Sequence, residues 1–184
     1  MTDAASAEAR ATALLGAGSA RWRHVAGVAS AADAAVDGMS VCEAGLLIAA
    51  AWLHDIGYAE DVAKTGFHPL DGGRYLRSSG APERLCRLVA NHSSARFEAE
   101  ARGLATVLAE EFPPDRSPTA DALTFADLTT DPRGARVTVE DRLDEILLRY
   151  PPGHPVHEAT RQAVTDVVAT VRRVEQRLAT LQPR

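Results

Sequence analysis

Six residues between positions 24 and 127 are of types that ligate transition metals: His24, the pair His54-Asp55, His68, His92 and Asp127. Their settings are apolar. His54-Asp55 closes the run AGLLIAAAWL at residues 44–53. A helix that is apolar nearly all round is buried. An imidazole and a carboxylate at its buried end are costly unless something pairs them, and a metal ion would do so. Adjacent helical residues do not face the same way, so both groups reach one ion only through a particular local geometry.

Partners stand at suitable positions. His24 directly precedes the apolar face of Val25 and Val28. Asp127 lies four residues after Leu123 in ALTFADL and shares its face, where an unpaired carboxylate would be expensive. His92 follows Leu85 by seven residues and Leu88 by four, which places it on a core face. His68 precedes Pro69, so it sits in extended backbone at a helix entrance. The six side chains converge on one buried polar pocket. The competing reading is a group of satisfied core polar residues, with His68 capping the helix that follows and His92 bonded to a backbone carbonyl.

The elements that must position these groups are helices. Val25, Val28, Ala29, Ala32 and Val36 are spaced by three and four, as are Leu46, Leu47, Ala50 and Leu53. Pro82 opens a helix carrying Leu85, Leu88 and Val89, and Ser117-Pro118 reads as N-cap and first turn of the helix holding Asp127. Thr138 caps a helix with Leu143, Ile146, Leu147 and Tyr150 on one face. The last helix starts near Pro155 and carries a near-heptad stripe from Val156 to Leu178. Residues 137–139 are too short a β-branched run to support a sheet. The expected fold is an all-α bundle: an N-terminal helical segment at 1–19, a central domain at 20–130, and a C-terminal helical extension at 131–184 packed on the same domain.

Composition narrows the function. The chain has 184 residues, 46% hydrophobic and 24% charged, the balance of a globular protein with a sizeable core. A net charge of -5 and 5% aromatics argue against a nucleic-acid surface. No apolar run approaches the roughly 20 residues of a membrane span, and no signal peptide is expected. Cys42 and Cys86 fall in apolar helical patterns and read as buried free thiols, which places the protein in a reducing cytoplasm.

The order His24, His54-Asp55, Asp127, with His68-Pro69 before Gly72-Gly73 and with His92-Ser93-Ser94, resembles the HD-domain superfamily of metal-dependent phosphohydrolases. The resemblance covers roughly residues 20–130. It implies that His24, His54, Asp55 and Asp127 bind one metal and that His68 and His92 bind a second, with Asp55 bridging. An all N/O ligand set suits Mn, Fe, Co or Ni. Two such ions would hold a bridging hydroxide that attacks phosphorus. The implied activity is hydrolysis of a phosphate ester or anhydride of a small phosphorylated substrate of nucleotide type. Neither nucleic acid nor membrane is an expected partner, and a homodimer stays open.

Around this set, Arg21 shares the face of His24 and reads as a phosphate clamp, with Arg23 beside it. Lys64 is the only lysine and, with Asp55 and Arg21, is assigned to the catalytic group as a phosphate neutraliser. Ser93, Ser94 and Arg96 are placed along the pocket, and Arg133 and Arg136 within reach of substrate. His154 and His157 read as surface or capping residues. Some branches do not fit. Cyclic-dinucleotide phosphodiesterases carry Lys where this chain has Tyr58, and a second His where it has Ser93. Alarmone hydrolases carry an acidic pair closer behind HD than Glu60-Asp61. The small binuclear branch remains, which includes diadenosine tetraphosphate hydrolases. Two alternatives share its six residues: a mixed-valent di-iron oxygenase acting on an organophosphonate or polyol, and a non-catalytic binding or sensory module.

Overall fold

Short polar side chains start five of the helices. In the computed structural model, which describes residues 3–181, Asp3 accepts from Ser6 N–H at the start of α1 (Ala4–Leu15). Ser19 accepts from Trp22 N–H at α2 (Ala20–Asp33), and Ser40 from Glu43 N–H at α3 (Val41–Leu53). α4 (His68–Ser78) and α5 (Glu83–Asn91) follow, then two short helices, α6 (Ala95–Ala101) and α7 (Ala105–Glu111). Ser117 caps α8 (Pro118–Leu128), and Thr138 caps α9 (Val139–Arg149). α10 (Pro155–Leu181) ends the described chain. Each such cap satisfies a donor the helix start leaves orphaned, worth about 1 kcal/mol.

The architecture is all-α. Among the described residues no strand forms, and one antiparallel bridge joins Thr130 to Arg136. This matches the expectation that residues 137–139 support no sheet. No described helix is long and apolar enough to cross a membrane.

α3 is the central helix because three consecutive alanines, Ala49 to Ala51, are all fully buried. Small side chains on every face let α1, α2, α5 and α8 approach it together. Large side chains fill the space between, with Phe67, Phe112, Leu47, Leu53 and Leu70 fully buried. A second core forms where α10 crosses α8 and α9, built from Phe125, Leu128, Leu143, Val167, Val171 and Val174. Burying each such side chain contributes roughly 1.5–3 kcal/mol. α10 also packs on α6, so its apolar stripe is used within the fold.

Two local expectations differ from the structure, and two short helices were not expected. Cys42 is exposed while Cys86 is buried, because Cys42 lies in the first turn of α3 beside the exposed Val41. Val36 lies beyond the end of α2 at Asp33. α6 and α7 carry no periodic signal of their own, each being about two turns long.

Candidate metal centre

His54 and His92 occupy the same local position in two helices. Each stands one residue past a helix C-terminus, after Leu53 and after Asn91. Each turns its Nδ1 back to the carbonyl three residues earlier: His54 to Ala51 O at 2.8 Å, His92 to Val89 O at 2.6 Å. Helix ends leave such carbonyls without partners. A carbonyl only accepts, so Nδ1 carries the proton, and a neutral ring then presents its lone pair on Nε2. His24, inside α2, repeats the pattern across the fold, its Nδ1 donating to Asp131 O at 3.0 Å.

The loop that supplies Asp131 can lie there because two glycines meet. A Cβ on Gly27 would stand 2.4 Å from Gly134 backbone atoms. Gly134 has φ 87, a conformation that favours glycine.

Asp55 follows His54 with φ -102 and ψ 7, outside the helix. This break lets adjacent residues face one centre. Asp55 is 3% exposed, and an oxygen of its carboxylate lies within 3.9 Å of Nε2 of each of four histidines. The distances are 3.9 Å for His24, 3.6 Å for His54, 3.3 Å for His68 and 3.9 Å for His92. Asp127 Oδ1 stands 3.1 Å from His24 Nε2 and 3.8 Å from His54 Nε2. Its other oxygen accepts from Ser93 Oγ.

His68 is the first residue of α4. It reaches the centre because α4 starts directly against Gly57, where a Cβ would lie 2.0 Å from His68 O. The ring is held on its other side by Tyr58, stacked at 4.0 Å and 18°. Arg21 lies over the outer face of Tyr58 at 3.9 Å.

Burial holds the imidazoles of His54, His68 and His92 below their ordinary pKa, toward the neutral form. His24 goes the other way: burial opposes its protonation, and the bond and charge of Asp127 outweigh it. Burial also opposes ionisation of both carboxylates. The His54 and Arg21 neighbours of Asp55 still hold it well below the usual range, and His24 and His54 do the same for Asp127. The imidazoles of His54, His68 and His92 and the two carboxylates are thus held toward the states that metal ligands require.

The donor set fits a cation. His54 Nε2 is buried and bonded to nothing, although it carries a lone pair. His68 and His92 bring their Nε2 atoms to 3.2 Å of each other. Two triads, His24–His54–Asp127 and His54–Asp55–His92, each place one ligand atom per residue within 4.8 Å of the others. All donors are nitrogen or oxygen, a set consistent with a divalent metal ion.

The centre opens into a cavity of about 120 Å³. Arg21, Ser93 and Ser94 line it, but Arg23 and Lys64 do not. Arg23 projects away from the face shared by Arg21 and His24, and its guanidinium bonds Gly18 O. Lys64 is exposed on a loop whose backbone N–H groups at Lys64 and Thr65 donate to Asp71. Arg96 pairs with Asp166 on the surface. Arg133 and Arg136 are exposed, Arg136 lying over Phe125. Arg21 reaches the centre by bonding Asp55 Oδ2 at 2.5 Å. Ser93 and Ser94 adopt left-handed backbone, φ 48 and φ 62, unusual for non-glycine residues and typical of sites where geometry is imposed.

Several lining residues escape sequence reasoning. Glu98, Arg142, Arg149 and Tyr58 all border the cavity. A signal existed for two of them: Arg142 and Arg149 stand four before and three after Ile146, on one helical face. His154 and His157 are capping residues, His154 accepting from Val156 N–H and His157 donating to Tyr150 O.

The fold and this cluster define an all-α protein of the His-Asp metal-binding kind. A family model, the HD domain, matches residues 21–144, more than half of the chain. The chain belongs to the HD domain family. Comparison with curated proteins and with solved structures finds no match.

Proposed function

We propose that this HD protein is a metal-dependent phosphohydrolase that cleaves a phosphate ester or anhydride. The observation that carries the reading is the inward convergence of four imidazole Nε2 atoms on Asp55 and Asp127. In three of the rings Nδ1 is already committed to a backbone carbonyl. His24, His54, Asp55 and Asp127 would hold one divalent ion, and His68 and His92 a second, with Asp55 shared between them. Such a pair supplies Lewis-acid activation of water and neutralises phosphoryl charge.

The chain's own residues do the rest. The carbonyls of Ala51, Val89 and Asp131 fix ring tautomer and orientation, which raises ligand basicity. Ser93 holds Asp127, and Tyr58 holds the plane of His68. Arg21 borders both Asp55 and the cavity, and its guanidinium offers the planar fork that matches phosphoryl oxygens. The buried floor excludes bulk water, which strengthens each of these interactions.

Elemental analysis of the purified protein tests the reading. About two ions of Mn, Co or Ni per chain, with hydrolysis of phosphate esters, is the expected result. Two irons with substrate-dependent O2 consumption would replace hydrolysis by the di-iron oxygenase reading. No ion after reconstitution would leave a non-catalytic binding module.

A further inference from the structure

The four imidazoles at the centre are not held alike. His24, His54 and His92 each donate Nδ1–H to a backbone carbonyl, at 3.0, 2.8 and 2.6 Å. Their side chains are 4% exposed or less. His68 shares neither feature. Its side chain is 12% exposed. Its Nε2 faces His92 and Asp55, and no backbone carbonyl among the described residues receives its Nδ1. Neither ligand triad, His24–His54–Asp127 or His54–Asp55–His92, includes it. The partner of a ligating imidazole sets its tautomer and the direction of its lone pair. Losing such a partner costs about 10–100-fold in metal affinity.

Tyr58 stands where that bond is missing. Its backbone is tied to the centre, the N–H donating to Asp55 O at 3.1 Å. It also follows Gly57, against which the start of α4 packs. The position of His68 is thus set by Gly57 and the plane of its ring by Tyr58, stacked on it at 4.0 Å and 18°. Arg21 covers the other face of Tyr58 at 3.9 Å while its Nη1 bonds Asp55 Oδ2 at 2.5 Å. Both faces of the phenol ring are therefore used, and it offers none to a substrate. Tyr58 is nevertheless 42% exposed, so its ring contributes little to the core. A stack fixes the plane of an imidazole but not which nitrogen carries the proton. It is a weaker hold than the carbonyl bonds of the other three rings.

We propose that the two ions are bound unequally, the ion of His68 and His92 being the weaker and exchangeable one, and that Tyr58 is its positioning residue. The ion of His24, His54, Asp55 and Asp127 stays in place, and occupancy of the second follows the metal available. A clamp on a phosphoryl group needs both ions, so metal supply sets the active fraction of the protein. This deepens the phosphohydrolase reading and rests on its two-ion site.

The test uses the Mn-loaded full chain, dialysed against buffers of graded free Mn, with Mn per chain read by elemental analysis. The expected profile has two steps, the second at about 10–100-fold higher free Mn than the first. His92→Ala should delete the weaker step and keep the tighter one. Tyr58→Leu keeps apolar bulk but loses the stack, and should move only the weaker step, to about 3–10-fold higher Mn. Tyr58→Phe, which keeps the ring, should restore the wild-type profile. Tyr58 is largely outside the core; should Tyr58→Leu still fail to fold, the wild-type profile and His92→Ala decide alone. Two ions released together, or loss of the tighter step in His92→Ala, overturn the inequality. A Tyr58→Leu profile like the wild type, or one with both steps moved equally, overturns the role of Tyr58. A single ion per chain even in excess Mn overturns the two-ion reading itself and the proposal with it. Failure of the hydrolase reading is seen separately: the two steps would persist while no phosphate ester is turned over.

Discussion

Asp55 is the residue on which the centre depends, since all four histidines and Arg21 approach its carboxylate. Asp55→Ala is expected to abolish turnover and to empty the site, read by metal content after gel filtration. Wild-type activity in that variant would sink the metal assignment. His92→Ala removes a ligand of only one ion, so the protein should keep its fold and about half its metal. Retention of the full metal content would show that His92 serves only Val89. Arg21→Ala should raise KM for a phosphorylated substrate about 10–100-fold, the worth of hydrogen bonds to a charged group. An unchanged kcat/KM would reduce Arg21 to a partner of Asp55. Residue types announced this chemistry, because His and Asp in apolar runs demand a counterpart. They did not announce Tyr58, whose role comes from stacking on a ring that a different helix delivers.

Elements position the ligands through their ends. His54 and His92 follow helix C-termini, His68 begins a helix, and the αL pair Ser93-Ser94 turns the chain into α6. Gly57→Ala would place a Cβ on His68 O, pushing α4 outward. Overpacking of this kind costs about 1–3 kcal/mol, and urea denaturation should show that loss together with reduced metal content. Unaltered stability would mean that α4 shifts freely and that contact with Gly57 does not set His68. Ser94→Gly relieves a left-handed residue at φ 62, and a gain of roughly 1 kcal/mol is expected in the same assay. A loss would show that the Ser94 side chain holds the turn. Caps at Ser117 and Thr138 were legible in the sequence because capping is local. α6 and α7 were not, because two-turn helices gain their stability from packing rather than from periodicity.

For the whole molecule, metal and fold are linked. A ligand that binds only the folded state at 100 times its Kd stabilises it by about 2.7 kcal/mol. In a chain of this length that raises Tm by roughly 5–10 °C. Thermal melts with added Mn or Co and with chelator should differ by that amount, and superimposable melts would argue that no ion binds the native centre. α10 acts at the same scale: it closes the second core and walls the cavity, so the C-terminal segment shapes the space offered to a substrate.

By itself the sequence determined the all-α class, the helix starts near Pro82, Ser117, Thr138 and Pro155, and the candidate centre residues, since periodicity, capping and the cost of buried polar groups are all set by nearby residues. The tertiary structure alone decided which side chains share the cavity. It withdrew Arg23 and Lys64, brought in Arg142 and Arg149 from α9, and exposed Cys42. It also decided the cavity's size, because volume is what remains after distant helices pack, and no local pattern records that remainder.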